Sequence, residues 1–440
     1  MNVKFRRILP WLLLRFFAFY FCAIAVTEAQ VIIPLAYWRV ICLSSINNID
    51  NNITTGFGAG TLTGINWSGT ALVLNAATAS GTYVSPPFNF SDCYNTPWKN
   101  LSWTASLPFG KEIPATSEIA ADYSAINGGL ATGLRGLWHL NETAGTVIAD
   151  SSGAGNTGTL QGTATLGATG ILFKAVTFNG STGYVSTTNS FVNPSIFTVA
   201  VWFKTTTTAG GKLIGLGNNI TGSSGNYDRH IYMDNSGGIN FGVYPGSVKI
   251  VTSAGPYNDG LWHQAVGTLS AAGLQLYMDG TLKATDASVT TAQNYTGYVR
   301  IAYDNMNGWT NQPTSPFFGG TIDEAAFWTR ALSTTEVRQL YQRGGNRIKF
   351  QVRKCTLASC ADNPAWLGPD GTSATFFTEV NNNSNQNLSN GAVTIAAPNL
   401  LFANFTGLIL INTVAFQYKI IFESDNTAYS PDVRSVFIGH

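Results

Sequence analysis

Alternation of apolar and polar positions dominates the middle and the end of this chain. Phe197, Val199, Val201 and Phe203 alternate with Thr198, Ala200, Trp202 and Lys204, and Leu274, Leu276 and Met278 repeat the pattern. Side chains on a strand point alternately to opposite faces, so each run can turn one face to a core. Asp279-Gly280 then supplies the positive backbone angles of a two-residue hairpin turn before Thr281. Nearer the N-terminus, Gly81 to Phe88 and Leu101 to Pro108 read as strands, with Leu101, Trp103, Ala105 and Leu107 on one face. The style stops at Gly110-Lys111-Glu112-Ile113-Pro114 and resumes at Arg347, where Ile348, Phe350 and Val352 share a face; Asp370-Gly371, Phe376-Phe377 and the alternating run Val414 to Phe422 follow. Val31 to about Asn75 is hard to read. Strands joined by short turns fit a two-sheet sandwich, and no long helix competes with them.

Gly319 to Gly344 holds two signals in succession. The apolar run Ile322 to Trp328 reads as a strand, and Ser333 with Glu336 three residues on has the spacing of a capping box. A short helix is therefore predicted from Ser333, with Val337, Leu340 and Tyr341 on one face and Gly344 as its left-handed stop. Trp138, Trp202, Trp262 and Trp328 lie in strand-like runs and are assigned to the core.

The 319–344 run resembles the closing strand and terminal helix of laminin-G-like, concanavalin A-like jelly-roll modules. Upstream marks follow in the expected order: Gly136 to Glu142 with Asp150-Ser151-Ser152-Gly153, Val176 to Ser181 with Tyr184-Val185, Phe197 to Phe203, Trp262-His263, and Leu276 to Gly280. The resemblance covers roughly Leu134 to Arg343. The flanks resemble the two halves of one β-sandwich module of exported proteins, interrupted between Leu107 and Ile348. The resulting expectation is an all-β chain: a two-sheet antiparallel jelly-roll sandwich at 134–343, and a second, discontinuous β-sandwich from 30–111 and 344–440, joined by a linker at 112–133. Glu118 to Tyr123 is a candidate helical turn in that linker. Two separate flanking domains are the alternative. Insertions of this kind are tolerated where the two ends of the inserted unit lie close together.

Composition narrows the partners. The chain has 440 residues, enough for about three domains of roughly 150 residues each, with 11% charged residues, 12% aromatics and net charge +1. Nucleic acid and anionic membrane each need a concentrated basic face, so neither is expected as the main partner. Residues 1–29 read as a secretory signal: Lys4, Arg6 and Arg7 precede an apolar stretch from Ile8 to Val26, and Thr27-Glu28-Ala29 precedes a plausible cut at Gln30. Retention as an N-terminal anchor is the alternative and the one expected membrane contact, although Arg15 interrupts the apolar run. Phe21 before Cys22 does not fit a lipoprotein signal. Secretion or display at the cell surface favours disulfides among the remaining Cys42, Cys93, Cys355 and Cys360. A local Cys355–Cys360 bridge is the simplest pairing and leaves Cys42 with Cys93; zinc is the rival reading.

Chemistry is sparse. Glycoside hydrolases on related folds need two carboxylates on one strand face, roughly 5 to 10 Å apart; no Glu-x-Asp-x-x-Glu run is present, and adjacent Asp323 and Glu324 should point to opposite faces of a strand. None of His139, His230, His263 and His440 lies beside a nucleophile motif. No enzyme activity is expected. The loop Asp150 to Asn156 is rich in oxygen donors, and the resemblance would bring Asp323 near it, making Asp150, Asn156 and Asp323 candidates for a structural Ca2+; Asx-turn bonding is the alternative for Asp150 and Asn156, and a sheet-edge cap for Asp323. Asn179 stands where many relatives carry Asp, which weakens any site that uses it. Two loops have lectin-like composition, Asn226 to His230 and Tyr303 to Asn311, nominating Tyr227, Arg229, Tyr303, Asn305 and Trp309 as ligand contacts, with packing on a neighbouring loop as the alternative. Asn-x-Ser/Thr triplets at Asn66, Asn89, Asn100, Asn141, Asn294 and Asn404 matter only in a glycosylating cell. The function expected is non-catalytic recognition or adhesion toward a glycan or extracellular protein. The alternatives are a structural spacer without a small ligand and a degenerate polysaccharide hydrolase.

Overall fold

Alternation becomes two facing sheets in the computed structural model, which describes residues 49–51, 57–89, 100–113, 129–368, 371–378, 392–394 and 415–439. The signal, Cys42, Cys93, Glu118 to Tyr123, Asp370 and Asn404 lie outside the described residues. In the 129–345 stretch an eight-stranded antiparallel sheet runs in the order Ala164–Thr169, Lys174–Asn179, Gly319–Trp328, Phe197–Lys204, Trp262–Ser270, Gly273–Met278, Thr281–Asp286, with Leu134–Trp138 also paired to Gly319–Trp328. A nine-stranded sheet faces it. Its order is Lys249–Ser253, Ile239–Val243, Tyr227–Met233, Gly211–Gly217, Thr296–Ile301, Tyr184–Thr187, Gly158–Gln161, Val147–Ile148, with Phe191–Val192 alongside Thr296–Ile301. Trp138, Phe178, Phe197, Val199, Val201, Phe203 and Phe327 from one sheet meet Leu216, Ile231, Met233, Phe241, Val299 and Ile301 from the other in one core. This is the jelly-roll sandwich.

Both faces of Phe197–Lys204 are buried, although its alternation asked for one. Ala200 packs in a second cluster with Leu137, Tyr277, Trp328, Val337 and Leu340, and Trp202 stacks on Tyr341 at 5.2 Å. The covering element is the helix Thr334–Gly345. Ser333 caps it and Glu336 reaches back, both arms of the capping box being made. Gly344 and Gly345 stay helical, contrary to the predicted left-handed stop; the helix ends where Asn346 turns extended at φ −113° and begins the strand Asn346–Cys355. Glycine is required here for close approach: a Cβ on Gly344 would stand 2.9 Å from the Trp202 ring. Trp138, Trp202 and Trp328 are buried as expected, whereas Trp262, near the start of its strand, is half-buried.

Strands from before and after 129–345 share sheets. Ala415–Ser424 lies between Ser80–Val84 and Asn346–Cys355 in a five-stranded sheet, and Ser435–Gly439 pairs with Asn100–Thr104. One core joins Phe57, Leu72, Tyr83, Trp103 and Leu107 to Ile348, Phe350, Val352, Tyr418 and Phe422. Trp103 stacks on Phe350 at 4.3 Å. Cys355 and Cys360 form a disulfide.

Candidate functional site

Of the two predicted lectin-like loops, Asn226 to His230 runs into the strand Tyr227–Met233 of the nine-stranded sheet, and Tyr303 to Asn311 packs against the outer face of that sheet. Trp309 is 5% exposed, edge-on to His230 with ring centroids 4.5 Å apart and to Tyr232 at 6.1 Å, with Met306 beside it. This corrects its assignment as a ligand platform: burying an indole between Tyr232 and His230 is worth more than leaving it in water. Arg229 is likewise buried. Its guanidinium pairs with Asp228, donates to the carbonyls of Pro194 (2.9 Å) and Gln293 (2.9 Å) and to Asn193 Oδ1 (3.1 Å), and lies over the Tyr295 ring, so it is buried away from any surface ligand in this arrangement. Tyr303 is half-buried and stacked on Phe317 at 3.8 Å, and Asn305 donates to the Ser224 carbonyl at 3.0 Å. Tyr227 keeps a partly open ring while its hydroxyl donates to the Asn307 carbonyl at 2.8 Å; burial and nearby Asp304 raise its pKa. Near it lies exposed Tyr244, whose amide is held by Asp228, and exposed Asn307 belongs to the same loop as exposed Thr310 and Asn311.

Asp150 and Asp323, two of the three residues nominated for calcium, hold different loops. Asp150 spends both carboxylate oxygens on loop donors: Leu137 and Ser152 amides on Oδ1, the Ser152 hydroxyl and Asn156 amide on Oδ2. The Asn156 side chain donates to the Arg135 carbonyl at 2.5 Å, and the Asn156 backbone carbonyl accepts from Trp138 Nε1. Asp323 serves a different loop, accepting from the amides of Ile171 (2.8 Å) and Leu172 (3.4 Å). Protein donors already occupy both carboxylate oxygens of Asp150 and of Asp323. Asn179 organises its own turn, with Oδ1 accepting from the amides of Ser181 and Thr182.

The titratable groups that do converge are Glu112, His139 and Glu324. Their ligand atoms lie within 4.8 Å of one another, one such grouping among the described residues. A bulge makes this possible. Between Asp323 and Ala326 the closing strand carries one residue more than its partner does between Ala200 and Trp202, and Glu324 takes φ +48°. Strict alternation, which set Asp323 and Glu324 on opposite faces, therefore fails there: Ile322 and Ala325 enter the sandwich core, and Glu324 lines a cavity under the helix. Glu324 Oε1 lies 2.6 Å from His139 Nδ1, Glu112 Oε2 lies 4.0 Å from it, and Asn141 donates to Glu112 Oε1 at 2.7 Å. Burial opposes the charged imidazole, but Glu324, Glu112 and Asp323 outweigh it and raise His139 to about 9. Burial and neighbouring carboxylates push Glu324 up as well, against the pull of His139, and burial with Glu324 pushes Asp323 well above the usual range. The short contact is a hydrogen bond between the His139 ring and the Glu324 carboxylate, and the Asp323 oxygens accept from the Ile171, Leu172 and Glu324 amides. The sequence carried a faint signal for this group, His139 directly after the opening strand, and none for the bulge or for Glu112.

Residues 179–338 match a family model, Laminin_G_3, described as the concanavalin A-like lectin/glucanases superfamily. No curated protein matches the chain. Among solved structures, Trypanosoma rangeli sialidase is similar at 14% identity and a TM-score of 0.35, covering 48% of this chain and 32% of that one, so the chain spans about a third of its length. The binding domain of botulinum neurotoxin DC in complex with SialylT aligns at 13% identity over 51% of this chain and 58% of that one, TM-score 0.38. Domain 4 of AbnA, an extracellular arabinanase from Geobacillus stearothermophilus in complex with arabinotriose, aligns at 19% identity over 47% and 98%, TM-score 0.32.

Proposed function

We propose that this chain is a secreted or cell-surface binding protein, non-catalytic, that recognises carbohydrate or another surface ligand through its laminin-G-like unit. The observation that carries the reading is where its carboxylates are. Glu112 and Glu324 approach the spacing of a retaining glycosidase pair, about 5 Å, yet their side chains are 11% and 8% exposed. The cavity beside Glu324 has room for about one water molecule, and no sugar ring enters it. A lectin/glucanase sandwich whose acids are sealed away retains surface recognition as its available work.

Recognition falls to the face built from Tyr227, Tyr244, Asn307 and Thr310, where a partly open ring lies beside exposed amide and hydroxyl groups. A sugar needs an apolar face to stack on and partners for its hydroxyls, and this surface offers both. The test is a glycan array with the full chain. Binding that Tyr227→Ala removes supports the reading, and silence across the array with the wild type favours the spacer. Polysaccharide cleavage lost in Glu324→Gln would instead establish a hydrolase.

A further inference from the structure

The Glu112–His139–Glu324 group sits where three separate parts of the chain cross. Glu112 belongs to the segment leaving the outer sandwich, which is latched to the helix end by Gly110 and Lys111 amides donating to the Arg343 carbonyl. His139 follows the opening strand and Glu324 forms the bulge of the closing strand. Three ligands around one ion at about 2.1 Å stand roughly 3 to 4 Å apart. The observed contacts, from 2.6 Å to at most 4.8 Å, bracket that size, so side-chain shifts of about 1 Å convert the group into a coordination shell.

An independent observation comes from the cavity that Glu324 alone of the three lines. Gln264 is 1% exposed, and its side-chain carbonyl oxygen accepts no hydrogen bond although it is fully buried. Gln264 lines the cavity with Glu324. A buried acceptor without a donor is costly, and a cation carrying one water would supply the missing donor within the space present. Arg343 lines the cavity too; it donates to the carbonyls of Lys111 (3.1 Å) and Glu112 (2.5 Å), and its charge also acts on Glu324.

We propose that Glu112, His139 and Glu324 bind one divalent transition-metal ion, zinc or manganese, which clips the 110–113 segment to the opening and closing strands of the laminin-G-like unit. The imidazole selects against calcium and magnesium, which prefer all-oxygen shells. This site is separate from the surface proposed for ligand recognition and stands or falls independently of it.

The test uses the full chain stripped with a chelator and titrated with Zn2+ and with Co2+ as a spectroscopic probe. The expected result is one ion per chain, a Tm that rises with free metal, and cobalt d–d bands of a nitrogen–oxygen site. Glu112→Gln and Glu324→Gln each weaken affinity roughly 10- to 100-fold or more. Asp234→Asn, at a carboxylate that only holds its own hairpin turn in the facing sheet by accepting from the Ser236 and Gly238 amides, leaves binding unchanged. Absence of stoichiometric binding, affinity indifferent to Glu112→Gln, or affinity lost in Asp234→Asn overturns the proposal. Should Glu324→Gln fail to fold, Glu112→Gln decides, because it keeps the size and the Asn141 contact of a side chain on a surface-proximal segment.

Discussion

Trp309 and Tyr227 come from loops of similar composition but have different fates, and substitution separates them. Removing the Trp309 indole leaves a hole against Tyr232, His230 and Met306, so Trp309→Ala should cost about 3–5 kcal/mol, the usual range for a buried large aromatic, read as a shifted urea midpoint. Tyr227→Ala should change stability far less while abolishing ligand binding. Nothing local in Asn305-Met306-Asn307-Gly308-Trp309 distinguishes an exposed lectin loop from one seated on a sheet; the rings that receive Trp309 lie about 80 residues earlier in the chain. His263 makes a prediction of its own. Burial disfavours its charged ring, but Asp279 at 2.9 Å and Asp259 at 3.2 Å prevail and raise its pKa above 6.5. A basic group with a raised folded pKa contributes stability that is fully present below its unfolded pKa and lost as pH rises through the folded one. The stability gap between wild type and His263→Gln should therefore shrink from pH 6 to pH 9 in denaturant titrations, and a gap that widens would reverse the assignment.

At the scale of elements, signals complete within a few residues were legible. Ser333 and Glu336 start the helix as their spacing predicted, and Asp279-Gly280 turns with both residues at positive φ between paired Met278 and Thr281. Ser333→Ala should cost about 1 kcal/mol, measured by thermal and urea unfolding. The loss should reach the sheet beneath, because this helix buries the outward face of the Phe197–Lys204 strand through the Trp202–Tyr341 stack. What the sequence concealed was the bulge. One additional residue shifts the register by a single position, and the local pattern Thr321-Ile322-Asp323-Glu324-Ala325 reads equally well without it. The consequence was large: a pair of acids that alternation would separate came to lie together beside a histidine, and the Glu112–His139–Glu324 group went unforeseen.

At the scale of the whole molecule, the outer sandwich depends on strands far apart in sequence. Ile421 stands opposite Thr82, Ser435 opposite Thr104, and Trp103 stacks on Phe350. The interruption of alternation at Gly110 and its return at Arg347 made the split legible as a possibility, while which edges pair is a property of the assembled sheets. A strand such as Ser80–Val84 has little to bury against without Ala415–Ser424, and a short sheet lacking its facing layer falls below independent stability. Residues 30–111 and 344–440 expressed separately should therefore each lack near-UV circular dichroism and a cooperative unfolding transition. Joined from Gly110 to Asn346 through a short glycine-containing turn, in place of 111–345, they should regain both, since the Gly110 amide already lies 2.7 Å from the Arg343 carbonyl and little chain is needed to bridge the gap. Phe350→Ala in the joined protein should remove about 3–5 kcal/mol, because its ring supports Trp103 from the other half. A cooperative transition in 30–111 alone would show instead that the flanks are two domains that merely touch.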